Sequence, residues 1–205
     1  PLTGHTDTVT AVACTVLNDT PVAVTGSKDR SVRVWDLTSG RPISQPLVGH
    51  ISAVIALACT VVDGTPIAIV GSSSGNALAM ELSADRPLVA SVTGHIGGVT
   101  AVACTVLDGT PVTVTGSHHG IAHVWNLRSR ELTQSLIVPS CQVLTFTGDG
   151  ELVIGIGTDV AVLRRPSDNT RAHGLWLSTW PRRPHGPTAR ISHPVEPGDH
   201  QAPRK

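Results

Sequence analysis

"TGHTDTVTAVACTVLNDTPVAVTGS", residues 3–27, decides how the rest of the chain is read. It returns as "TGHIGGVTAVACTVLDGTPVTVTGS" at 93–117, and "VGHISAVIALACTVVDGTPIAIVGS" stands between them at 48–72. The Gly-His pairs fall at 4–5, 49–50 and 94–95, so the unit is 45 residues long. Three copies at one spacing make the chain a repeat array, in which each unit buries its faces against its neighbours.

Inside a unit the pattern is β: short runs of Val, Ile and Thr separated by turn residues. The first run is Val9 to Val16, closed by a turn through Asn18-Asp19-Thr20-Pro21. Pro21 opens a second run to Thr25, a position that proline tolerates at a strand start. Gly26 to Arg30 turn the chain into a third run, Ser31 to Leu37, and a poorer fourth spans Ile43 to Val48. That gives four strands per unit and no helical period. In the first run Val9, Ala11, Ala13 and Thr15 point one way and Thr10, Val12, Cys14 and Val16 the other. Neither face is charged, so both are expected to be buried. The small residues suit an innermost strand where neighbouring sheets converge on an axis. A fourth, abbreviated unit, "CQVLTFTGDGELVIGIGTDVAVLRR" at 141–165, supplies three strands and stops where Pro166 begins a different kind of sequence.

Composition bounds the function classes. Of 205 residues 40% are apolar and 15% charged, enough for a core and too little charge for a wholly disordered chain. Lys+Arg and Asp+Glu balance at 15 each, so no global attraction to nucleic acid or an anionic membrane is expected. No apolar run approaches the ~20 residues of a membrane span, and the N-terminus lacks signal-peptide order. A cytoplasmic protein is the expectation. The dominance of Arg over Lys, with abundant Ala, Val, Gly and Pro, suggests a bacterial source of high GC content. Cys14, Cys59 and Cys104 recur at one repeat position and are expected to be buried free thiols acting as small hydrophobes, with Cys141 unmatched. Without a close cysteine pair, a reducing compartment is favoured over a disulfide framework.

Gly4-His5 with Trp35-Asp36, and Gly94-His95 with Trp125-Asn126, resemble the two defining dipeptides of the WD-repeat (WD40) β-propeller family. The resemblance covers residues 1–165 and implies an all-β fold of propeller blades at about 4–48, 49–93, 94–138 and 139–165. It also implies a hydrogen-bonded chain in each full blade, from a loop His through a strand Thr and a turn Asp to a Trp. His5, Thr25, Asp29 and Trp35 fill these places in the first unit. The third keeps His95, Thr115 and Trp125 but has His119 at the Asp place, and the second keeps only His50, beside Val70, Ser74 and Met80. Three repeats and a shortened fourth fall short of a seven-bladed ring. An incomplete or open propeller, the C-terminal part of a larger one, is the expectation, with Pro1–Thr3 as the stub of an upstream blade. Exposed terminal blades would then allow self-assembly.

Candidate chemistry weighs lightly against this. His5, Asp29 and a hydroxyl look like a catalytic triad, but the Thr sits mid-strand and the elements recur in another blade. His118, His119 and His123 offer three imidazoles without a visible carboxylate shell, and "GSSSGNA" at 71–77 lacks the helix and Lys of a phosphate loop. No catalytic residue, metal or cofactor is expected. Asp7, Lys28, Arg30, Ser73 and His118 lie in loops of one propeller face and are the candidate partner-binding residues. Residues 166–205 carry seven of the fifteen Pro and an excess of basic over acidic side chains, and are expected to be a disordered tail. The expected function is a non-enzymatic scaffold presenting loops to a protein partner. The alternatives are a truncated remnant without independent function and an enzyme framed by a propeller.

Overall fold

A computed structural model describes residues 1–48, 52–82, 89–91, 95–164 and 191–192. The strands are β1 (Val9–Leu17), β2 (Thr20–Ser27), β3 (Ser31–Asp36), β4 (Leu47–Val48), β5 (Val54–Val62), β6 (Thr65–Ser72), β7 (Ala77–Glu81) and β8 (Val89–Ser91). They continue as β9 (Val99–Leu107), β10 (Thr110–Ser117), β11 (Ile121–Asn126), β12 (Glu131–Ile137), β13 (Val143–Phe146), β14 (Leu152–Ile156), β15 (Asp159–Leu163) and β16 (Ile191–Ser192). No helix occurs among the described residues. The strands form four antiparallel meanders, β1-β2-β3-β4, β5-β6-β7-β8, β9-β10-β11-β12 and β13-β14-β15, each one blade. β16 pairs with β12 as a fifth strand, through Ser135↔Ser192 and Leu136↔Ile191, inside the tail where the sequence pattern places no element. The other tail residues from 165 onward lie outside the described ones.

Hairpin chemistry sets the register. Leu17 pairs with Thr20, Val62 with Thr65 and Leu107 with Thr110, leaving two-residue loops at Asn18-Asp19, Asp63-Gly64 and Asp108-Gly109. All six loop residues have positive φ, the geometry whose twist matches paired strands and which Asn, Asp and Gly accept most readily. At the other end of each inner strand one residue is left unpaired in a bulge: Thr10, Ile55 and Thr100. In the first blade the fourth strand is shorter than its apolar run. Leu47–Val48 form β4, Pro42 makes only an isolated bridge to Trp35, and Ile43 meets Val34 through one backbone hydrogen bond. Pro1–Thr3 are exposed and form no strand.

The core lies between blades rather than within them. Val22, Val24, Val32 and Val34 of the first blade pack against Val54, Leu57, Ala68, Val70 and Met80 of the second. Ala56, Ile69 and Ala77 of the second pack against Val99, Val102 and Trp125 of the third. Val112, Val114 and Val124 of the third pack against Leu144, Leu152, Ile154 and Leu163 of the fourth. One contact recurs at every seam. A Cβ added to Gly26 would collide with the Val54 side chain, one on Gly71 with Val99, and one on Gly116 with the Cys141 sulfur. A glycine in the second strand of each blade is therefore a slot for a side chain from the next blade's entry.

Two seams add a polar tie. Thr10 Oγ1 lies 2.6 Å from the Val54 carbonyl of the next blade, and Thr100 Oγ1 lies 2.5 Å from that of Cys141. The bulge aims these hydroxyls outward. Ile55 holds the equivalent place in the second blade and has no hydroxyl to give. That middle seam carries instead an exposed bidentate pair from Arg128 to Asp63, at 2.7 Å and 3.1 Å.

The cysteines divide according to their seams. Cys141 is fully buried, in the slot position held by Val54 and Val99 elsewhere. Cys59 and Cys104 are partly buried, and burial pushes both thiols, like that of Cys141, up to about 12. Cys14 is exposed, contrary to the expectation of a buried thiol. Its face points where a preceding blade would stand, and the described residues place none there.

Overpacking the glycine slot should cost about 2 kcal/mol. Gly71→Ala is expected to lower the unfolding free energy from urea titration by that amount, while Gly148→Ala, where an added Cβ meets nothing within 4 Å, leaves it unchanged.

Candidate functional site

The loops joining the second and third strands of the first three blades lie on one edge of the array, together with the loop before β1. Here Ser27-Lys28-Asp29-Arg30, Ser72-Ser73-Ser74-Gly75 and Ser117-His118-His119-Gly120 are equivalent turns. Asp7, Lys28, Arg30, Ser73 and His118 are all exposed on them.

The first blade ties its loops to its sheet through a continuous hydrogen-bonded chain. The Trp35 indole N–H donates to Thr25 Oγ1 at 2.8 Å. The Thr25 hydroxyl donates in turn to His5 Nε2, also at 2.8 Å. His5 Nδ1–H donates to Asp29 Oδ2 at 2.8 Å, and the same carboxylate receives the Thr6 amide and the Ser31 hydroxyl. The Asp29 carboxylate can only accept, so Nδ1 of His5 carries the proton and Nε2 is left to accept from Thr25. Burial alone would raise the Asp29 pKa, but these donors hold the carboxyl far below the usual carboxylate range. Trp35 is 2% exposed, covered by Gly4 and by the Arg33 guanidinium 6.0 Å from its ring centre.

The other blades depart from this chain in ways that follow from single replacements. In the third, His95 Nε2 meets Thr115 Oγ1 at 2.7 Å, and Trp125 Nε1–H donates to the same oxygen at 3.3 Å. With His119 at the Asp place, His95 Nδ1 is buried with no partner. His119 is exposed and lies against Gly97. In the second blade Val70 and Met80 join the apolar seam. Ser74 there exchanges hydrogen bonds with Ser52 and Ser72, and His50 lies outside the described residues.

The triplet His118, His119 and His123 does not converge. The first two are exposed, while His123 is buried, bonded to Ser135 Oγ at 2.9 Å and tilted against His95 with ring centres 4.5 Å apart. Burial, then the neighbouring His123, depresses the His95 pKa to about 4. The repeat register carried the signal for this pair, because His123 stands where the first blade has Arg33. No group of three or more metal-ligating side chains gathers among the described residues.

One backbone feature escaped the sequence pattern. Arg30 has φ +69°, the left-handed region, at the turn position where the other two full blades carry Gly75 and Gly120 with φ +90° and +79°.

Residues 1–36 match the family described as WD domain, G-beta repeat. The first blade is thus similar to a WD repeat. The fold of the chain is similar to that of U3-55K, at 26% identity and a TM-score of 0.67, over 78% of this chain and 50% of that one. The chain thus spans half the length of U3-55K. It is also similar to the computationally designed Ika4 protein, at 25% identity and a TM-score of 0.61, over 78% of this chain and 92% of that one. No curated protein matches it. WD repeats in general mediate protein–protein contacts and are typically non-enzymatic. No described helix is long and apolar enough to cross a membrane.

Two tests separate the networks of the first and third blades. Thr25→Val strands the Trp35 indole and one His5 nitrogen, and is expected to lower stability by about 2 kcal/mol in denaturant titration. The pH dependence has two windows. The folded His95 pKa lies below its ordinary 6.5, so the unfolded chain binds more protons between roughly pH 6.5 and 4, and stability falls as pH falls through that range. Asp29, also depressed, adds a loss only below its ordinary 3.8. Melting curves of His95→Gln should be flatter between pH 6.5 and 4 and unchanged in the acid window.

Proposed function

We propose that this chain is a non-enzymatic interaction scaffold whose loop edge, with Asp7, Lys28, Arg30, Ser73 and His118, contacts a protein partner. The observation that carries this reading is Arg30. An L-residue in the left-handed region costs about 1 kcal/mol or more relative to glycine. Both sibling turns use glycine, so the first blade carries strain that a Gly would relieve. The long cationic side chain beside Lys28 on an exposed edge is the return on that cost. The buried Asp29 network beneath holds the same turn in place.

The inner strands support the non-enzymatic side of the reading, because they bring Ala, Val, Thr and Cys toward the centre rather than acids or ligands. Free thiols fit a reducing, cytoplasmic setting of the bacterial kind that the composition suggests. The charge balance argues against nucleic acid or a membrane as the partner. The exposed faces of the first and fourth blades favour a second reading beside this one, a remnant that needs other blades to be soluble.

Pull-down from lysate with the tagged chain tests the edge. Arg30→Gly is expected to melt higher than wild type yet lose at least about tenfold in capture, and Lys28→Glu to lose capture with unchanged melting. Undiminished capture by both removes the edge from the site. A chain that forms heterogeneous aggregates without a cooperative melt is the remnant.

A further inference from the structure

The two ends of the array expose opposite halves of the contact that joins its interior blades. On the first blade, Val9 is 49% and Val12 64% exposed, whereas their counterparts Val54 and Leu57, and Val99 and Val102, are buried. These are the projecting side chains of a seam, and no preceding blade stands against them among the described residues. On the fourth blade, Val143 is 62%, Val160 66% and Val162 37% exposed, around Gly155. Gly155 is the fourth blade's copy of Gly26, Gly71 and Gly116, since it lies on the outward face of the second strand between Val143 and Val160. An added Cβ there meets only Val143 of its own blade, at 3.4 Å. The slot is empty. Gln142 follows Cys141 as Thr10 follows Val9, and it is exposed, with a side-chain amide able to donate where Thr10 and Thr100 donate.

We propose that a second copy of this chain fills that slot: its Val9 enters at Gly155, its Val12 covers Val143 and Val160, and Gln142 donates to its Val9 carbonyl. The three internal seams define this geometry, and each uses the same small set of residue types. The contact is head-to-tail, so two copies make two identical seams and close a ring of eight blades, within the four to eight that propellers adopt. Three copies would need twelve, outside that range. Closure removes both unpaired apolar faces at once, an outcome that a single seam between two copies does not achieve. This deepens the assembly side of the scaffold reading and leaves the loop edge free, because the seams lie on blade faces and Lys28 and Arg30 on the turns.

Sedimentation velocity of the full chain over a hundredfold concentration range tests it. A single species of twice the chain mass is expected. Gly155→Val fills the slot and Val12→Glu charges the facing side chain, on opposite ends of the array. Each should raise the dimer dissociation constant at least about 100-fold, with the β signal in circular dichroism unchanged. A monomer throughout, a ladder of open polymers, or a dimer that survives both substitutions overturns the proposal. If Gly155→Val unfolds the chain, Val12→Glu alone decides, since Val12 is already in solvent. Capture by the loop variants is read separately, so failure of assembly and failure of partner binding are distinguishable.

Discussion

Blades of this kind hold together where a branched side chain of one sheet sits against a bare Cα of the sheet before it. A blade of four short strands is too thin to shield apolar groups on its own, and its two faces become interior only when another sheet lies over each. The approach of sheet to sheet is limited by whatever projects from the second strand, and glycine at 26, 71 and 116 sets that limit to the backbone itself. The projecting partner can then be Val54, Val99 or Cys141, because the slot selects for size and apolar character rather than for one residue. A polar tie from Thr10 or Thr100 is an addition to this contact, present at two seams and missing from the third.

The loop edge depends on the seams without being part of them. Asp29 is held by donors from the entry loop and from the start of the third strand, and His5 passes the constraint down to Trp35 in the sheet. The turn that presents Lys28 and Arg30 is therefore rigid from below. In the third blade a histidine at the Asp place breaks the chain at its outermost link, leaving His95 Nδ1 without a partner while the His95 ring packs against that of His123. In the second, the chain is replaced by Val70 and Met80 in the seam and by serines at the surface.

Much of this was legible in the residues. The 45-residue period implied repeated antiparallel sheets, Asp-Gly at 63–64 and 108–109 marked the hairpins, and the abbreviated fourth unit ended at three strands as its sequence implied. What was hidden involves neighbours that a single repeat does not contain. Cys14 looks identical to Cys59 and Cys104 along the sequence, yet it is exposed because burial there is supplied by the blade before. Cys141 is unmatched along the sequence, yet it fills the Gly116 slot as Val54 and Val99 fill theirs. The strain at Arg30 was readable in principle from Gly75 and Gly120 at the same turn position, but only once the turns are compared for conformation rather than for charge.

The unevenness of the three seams bears on how the array comes apart. The middle one lacks the threonine tie, has the smallest described apolar cluster, and relies on a solvent-facing guanidinium–carboxylate pair that mobile ions weaken. Opening there would leave two double-blade halves, each retaining its threonine tie. The molecule is in this sense a pair of pairs, with the isoleucine at position 55 standing where the other two seams have a threonine.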